Sequence, residues 1–190
     1  MTSAGGCGKT LVLSQPLFGH FQNLCGVIMH IRKMNDGEFP IIIRLINETV
    51  HSVCVGDYTK KELDAWAPNA FDTARFIKAL TPCHNLVCVE NSKIVGFISV
   101  EKNGFINRLF THKDYLRRGI ATSLLKEAEI WAISRGLKKL TLDSSKTAVD
   151  FYLKNGFKKT GISVIEKDGV VFRNTVMKKD LGGDLLGKNE

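Results

Sequence analysis

The sequence predicts an α/β protein in which a mixed, mostly antiparallel sheet is flanked by helices around a central strand–turn–helix unit. Three observations carry this reading. Ile106 to Thr111 reads as a strand, His112 to Gly119 as a basic turn, and Ile120 to Arg135 as an amphipathic helix. Before that unit, short apolar runs alternate with turn residues, which is the pattern of a meander. At 190 residues and 44% hydrophobic composition, the chain can bury one good core, so a single domain is expected.

Taken in order, Gly5-Gly6-Cys7-Gly8-Lys9-Thr10 imitates the end of a phosphate-binding loop. The first required glycine falls on Ser3, however, and no buried strand can precede it. Residues 1–28 are therefore expected to be an extension, with Met29 the natural start of the domain at 29–179. Val27 to Lys33 is the first strand. Pro40 suits the first turn of the next helix, where its missing N–H costs little. Ile42, Leu45, Ile46, Thr49, Val50 and Val53 mark the inner face of that helix. Thr59-Lys60-Lys61-Glu62 is a capping box opening a second helix through Leu63 and Trp66. A third runs from about Asp72 to Leu80.

Three strands follow, Asn85 to Val89, Lys93 to Val100 and Phe105 to Thr111, parted by Glu90-Asn91-Ser92 and Lys102-Asn103-Gly104. In the central helix, Ile120, Ala121, Leu124, Leu125, Ala128, Trp131 and Ala132 share one face, and Gly136 stops it. Lys139 to Asp143 is a short strand. Ser144 or Ser145 then caps a helix through Lys154. Phe157 to Ile165 and Val170 to Met177 form a last hairpin, and 180–190 a loose tail.

The strand-to-helix junction is Leu116-Arg117-Arg118-Gly119-Ile120-Ala121-Thr122. Amides at a helix start lack intrahelical partners, and the helix dipole adds positive charge there. Gly119 lets a phosphate approach the backbone, and two arginines add full charges. Local physics alone equally allows an ordinary strand–turn–helix with a solvated basic turn.

The formal charge of +8 favours an anionic partner. The basic residues are scattered, and neither an RNP-type aromatic strand nor zinc-finger spacing occurs, so no nucleic acid is expected. Apolar runs are too short to span a membrane. Five irregularly spaced cysteines fit reduced thiols in a cytoplasmic protein. Cys83-His84 with Cys88 lacks a second ligand pair, so no metal is expected.

The element order, Tyr115-Leu116-Arg117-Arg118-Gly119-Ile120-Ala121, and the later Ala148-x-x-Phe151-Tyr152-x-Lys154-x-Gly156-Phe157 resemble the GCN5-related N-acetyltransferases over about Met29 to Lys179. The family's phosphate turn is Gln/Arg-x-x-Gly-x-Gly/Ala. Gly119 and Ala121 match it, while Leu116 stands at the first position and removes a polar side chain but no backbone amide. The resemblance implies acetyl-CoA as cofactor, with its pyrophosphate on the amides of Arg117, Arg118, Gly119, Ile120, Ala121 and Thr122. It also implies that the pantetheine arm pairs with the backbone of Leu109, Phe110 and Thr111, and that Tyr152 is the general acid.

Acetyl transfer from a thioester needs an oxyanion donor, a route for the ammonium proton and an acid near sulfur. The backbone N–H near Phe110 or Thr111 is the candidate donor. Glu101, at a strand end, is the candidate for activating a water. Asp143, His112, His30 and His51 are weaker candidates for base. The expected activity is therefore N-acetylation by direct attack of a small-molecule or peptide amine of unknown identity. A non-catalytic acyl-CoA-binding module of the same fold is the alternative. The last hairpin is the candidate pairing edge of a homodimer.

Overall fold

A computed structural model describes residues 20–22, 28–68 and 72–182. The phosphate-loop imitation at Gly5–Thr10, Val27, and the tail beyond Gly182 lie outside the described residues. Five strands form one antiparallel sheet in chain order: β1 (His20–Gln22), β2 (Ile28–Lys33), β3 (His84–Glu90), β4 (Lys93–Val100) and β5 (Ile106–Thr111). A second antiparallel sheet has β8 (Val170–Asp180) between β6 (Lys139–Ser144) and β7 (Lys158–Lys167). β1 falls in the stretch expected to be an extension, and it occupies the outer edge of β2 with His20 opposite His30.

Between β2 and β3 run α1 (Phe39–Val53), α2 (Lys60–Trp66) and α3 (Thr73–Leu80). Pro40 sits in the first turn of α1, and the capping box of α2 is complete: Thr59 N–H donates to Glu62 Oε2 at 2.7 Å, and Glu62 N–H donates to Thr59 Oγ1 at 3.3 Å. The β3–β4 hairpin closes through Asn91 and Ser92, both at positive φ (48° and 64°), which the right-handed twist of the strands favours.

Strand alternation gives the first sheet two apolar faces. Val87, Val89 and Phe97 pack against α1–α3, with Ile42, Leu45, Ile46 and Val50. Leu86, Cys88 and Ile98 pack against α4 (Ile120–Ser134) and the inner face of the second sheet, with Leu124, Leu125, Leu140, Leu142 and Met177. A Cβ on Gly96 would lie 2.5 Å from Ile120 Cγ2, so this glycine lets α4 seat directly on β4.

Trp131 packs half-buried against this second core and stacks on His84 with ring centroids 4.5 Å apart. One local expectation needs correction. Neither Ser144 nor Ser145 caps a helix with its side chain. A 3-10 turn, Lys146–Ala148, precedes α5 (Val149–Lys154), and the Lys146 N–H donates instead to the Tyr58 hydroxyl at 2.8 Å.

Candidate active site

The two sheets meet at one end and part at the other. Phe105 and Thr141 form a parallel bridge, and the Thr141 N–H donates to Gly104 O at 3.1 Å. Beyond that point β5 and β6 separate, opening a cleft of about 950 Å³ whose walls include Leu109, Phe110, Thr111, Leu142, Asp143 and Ser144. On its other side β5 pairs with β4, Phe110 opposite Phe97 and Thr111 opposite Gly96. His112 N–H donates to Val95 O at 2.9 Å. Because bonded and non-bonded pairs alternate in an antiparallel ladder, Arg108 and Phe110 turn their backbone groups to β4. Leu109 and Thr111 turn theirs toward the gap, where the Thr111 carbonyl already accepts from Thr49 Oγ1 at 3.1 Å. The Phe110 amide is therefore spent on the sheet, and of the two expected donors only the Thr111 amide faces the gap.

At the end of the gap stands the N-terminus of α4. Gly119 caps it at φ +79° without a side-chain cap bond, and Arg117 precedes it at φ +60°. Among the described residues no backbone carbonyl takes the amides of Arg117 to Thr122, leaving a run of free donors. A Cβ on Gly119 would meet nothing within 4 Å, so the space over the turn is open. Leu116 and Ala121 reach the cleft wall, whereas Ile120 is buried in the core and offers only its backbone.

The two arginines of the turn differ. Arg117 is exposed and joins no ion pair among the described residues. Arg118 donates from Nη2 to Glu90 Oε1 at 2.9 Å and lies over the Tyr115 ring at 5.0 Å. Its charge is drawn away from the turn to a buried carboxylate, so it does not screen the helix start as Arg117 can.

Tyr152, on α5, lines the cleft from the α4 side, its ring packed edge-on against Phe151 and Phe157. Burial pushes its phenol well above the ordinary tyrosine value, so it keeps its proton at neutral pH. Asp143 also lines the cleft, accepting from Ser163 Oγ at 2.8 Å. Thr111 Oγ1 is buried with no hydrogen-bond partner among the described residues.

Other expected residues lie elsewhere. Glu101 is not on the cleft wall: its carboxylate accepts from Asn107 Nδ2 at 3.0 Å and its N–H donates to Phe105 O, both bracing the β4–β5 turn. His112 is buried behind β5, where its Nδ1 accepts the Asp114 N–H at 3.2 Å. Burial, and then Lys93, lower its pKa. Cys83 and Cys88 do not converge. Cys88 belongs to the core beneath α4, while Cys83 Sγ donates to Ala79 O at the end of α3.

Sequence reasoning missed Asn107, Arg108, Arg75 and Lys167, all on the cleft wall. The signal available was the polar pair Asn107-Arg108 inside the otherwise apolar run Phe105–Phe110.

A family model described as an acetyltransferase (GNAT) domain matches residues 54–181. The chain is 29% identical over 150 residues to an uncharacterized N-acetyltransferase, YafP, of Escherichia coli K12, covering 79% of this chain and 95% of that one. Its fold superposes on a GCN5-related N-acetyltransferase of Rhodopseudomonas palustris with a TM-score of 0.76 at 27% identity, over 79% of this chain and 94% of the other. A likeness in fold alone extends to the PaiA N-acetyltransferase of Thermoplasma acidophilum, solved in complex with coenzyme A (TM-score 0.65, 22% identity, 80% and 98% covered). With well over half of its length matched, and with an open β5 edge leading to bare amides at a helix start, this chain belongs to the GNAT acetyltransferase family, whose co-substrate is acetyl-CoA.

Proposed function

We propose that the protein moves the acetyl group of acetyl-CoA to an amine by direct attack, without an acyl-enzyme. The observation that carries this reading is the continuous path from the gap-facing backbone of β5 to the free amides of α4, with Tyr152 on its wall. The residues present fit acetyl-CoA. The open space over Gly119 suits a pyrophosphate, and Arg117 supplies a cation that joins no ion pair among the described residues.

Acetyl-CoA, when bound, supplies a thioester carbonyl open to an amine and a thiolate that can leave. The amides from Arg117 to Thr122 hold the phosphates. Leu109 and Thr111 pair with the amide-bearing arm, and a gap-facing N–H polarises the carbonyl oxygen. Tyr152 gives its proton to the departing thiolate; its raised pKa keeps that proton available at neutral pH. Asp143, which lines this wall where Glu101 does not, takes the proton of the incoming ammonium. The acceptor enters between α1–α3 and the β7–β8 hairpin, where Trp66, Phe76 and Phe172 line the cleft.

Free thiols at Cys54, Cys83 and Cys88 support a reducing, cytoplasmic setting. Ile162 and Val164, exposed on edge strand β7, support pairing of two copies there, which sedimentation would test. Titration with acetyl-CoA and CoA, followed by thiol release over an amine panel, tests the reading as a whole. Binding without turnover of any amine would favour the non-catalytic alternative, and no binding would remove both.

A further inference from the structure

We propose that the acceptor is an amine that also carries an anionic oxyacid group, a carboxylate or phosphate, held by the guanidinium of Arg108; this rests on the acetyltransferase reading above. In β5, Arg108 lies opposite Ser99, on the face shared by Phe97 and Phe110 and turned toward α1–α3. Leu109 faces the other core, beneath α4. Arg108 thus lines the cleft on the side open to the acceptor.

The guanidinium is oriented but lacks an anion. Its Nη1 donates to Asn107 O and to Asn107 Oδ1, each at 2.7 Å. Among the described residues no carboxylate stands within 4.0 Å of it. Two other arginines do face carboxylates, Arg32 with Glu38 and Arg118 with Glu90. An arginine keeps its charge under all ordinary conditions, and this one is exposed on the cleft wall, open to an incoming anion.

Two further cations line the same cleft. Lys167 donates from Nζ to Trp66 O at 3.0 Å, and Arg75 joins no ion pair among the described residues. The cleft carries carboxylates too. Asp72 accepts the Arg75 N–H at 2.9 Å and caps α3, Asp143 accepts from Ser163 Oγ, and Glu166 and Asp168 flank Lys167 in the β7–β8 hairpin. Beside Arg108 the wall is aromatic, with Trp66 and Phe110 at a centroid distance of 6.4 Å. The chemistry that fits is an anionic head next to an apolar body, as in an apolar amino acid. A guanidinium fork matches a carboxylate or a phosphate by paired hydrogen bonds.

The test uses product-like ligands, so that it reads binding as well as turnover. CoA-saturated protein is titrated with N-acetylphenylalanine against N-acetylphenylalaninamide, and with 2-acetamidoethyl phosphate against N-acetylethanolamine. At least one anionic member should bind about 10- to 100-fold more tightly than its neutral partner. Arg108→Gln should abolish that preference and Arg108→Lys should keep part of it. Both variants should retain wild-type CoA affinity, which also reports that they fold. In turnover, Arg108→Gln should raise KM for the anionic amine with little change in kcat. Equal affinity within both pairs, or a preference that survives Arg108→Gln, would overturn the anionic acceptor while leaving acetyl transfer standing. Loss of the acetyltransferase reading has a different signature, absence of CoA binding in the wild type.

Discussion

The amide of Thr141 donates to the carbonyl of Gly104 at 3.1 Å, at the point where the two sheets touch before they part. Gly104 holds φ +88°, and a Cβ there would lie 2.7 Å from Lys139 O. Gly104→Ala should therefore cost about 1–3 kcal/mol of stability and weaken acetyl-CoA binding, because it disturbs the vertex that sets the gap. Urea denaturation and titration check both. An unchanged midpoint would show that the vertex tolerates a shift.

Gly119→Glu should weaken acetyl-CoA binding by at least about 10-fold, since it sets a carboxylate over the free amides of α4. Gly119→Ala separates the backbone strain at φ +79° from the added charge. Isothermal titration of both variants is the check, and equal losses would assign the effect to strain.

Arg117→Ala and Arg118→Ala should act on different properties. The Arg117 variant should bind acetyl-CoA about 2- to 10-fold more weakly at unchanged stability. Loss of Arg118 strands Glu90, only 5% exposed, and should lower stability by about 1–3 kcal/mol. Paired titration and denaturation would distinguish this from two equivalent phosphate ligands.

Tyr152→Phe should lower kcat by roughly 10- to 100-fold while leaving acetyl-CoA affinity within about 2-fold. The folded phenol is raised above its ordinary value of 10.0 by burial. Its contribution to stability is therefore complete below about pH 10 and declines as the pH rises through the folded value. The variant should lose less stability at alkaline pH than the wild type. A kcat equal to wild type would leave Tyr152 a core aromatic.

The Arg32–Glu38 pair is bidentate, at 2.6 and 2.9 Å. Its hydrogen bond from Arg32, chiefly, holds the Glu38 carboxyl below its ordinary value of 4.5. Stability from this source is present above pH 4.5 and is lost as the pH falls through the folded value. Glu38→Gln should flatten part of the acid limb and cost about 0.5–1 kcal/mol at neutral pH, less at high salt.

Taken alone, the sequence determined the elements and the bare, basic turn before α4, because those depend on neighbours a few residues apart. The capping box at Thr59, the stop at Gly136, the apolar stripe from Ile120 to Ala132 and the bare helix start at Gly119 are all local. Only the tertiary structure decided which side chains face the cleft. Arg118 turns to Glu90, 28 residues away, and Lys146 N–H finds Tyr58, 88 residues away, contacts that no local spacing encodes. Glu101 lost its place in the site to a bond with Asn107, while Arg108 gained one from the face that the β4–β5 register gave it. Register and sheet divergence are set by packing across the whole fold, and they place the charges that an acceptor meets.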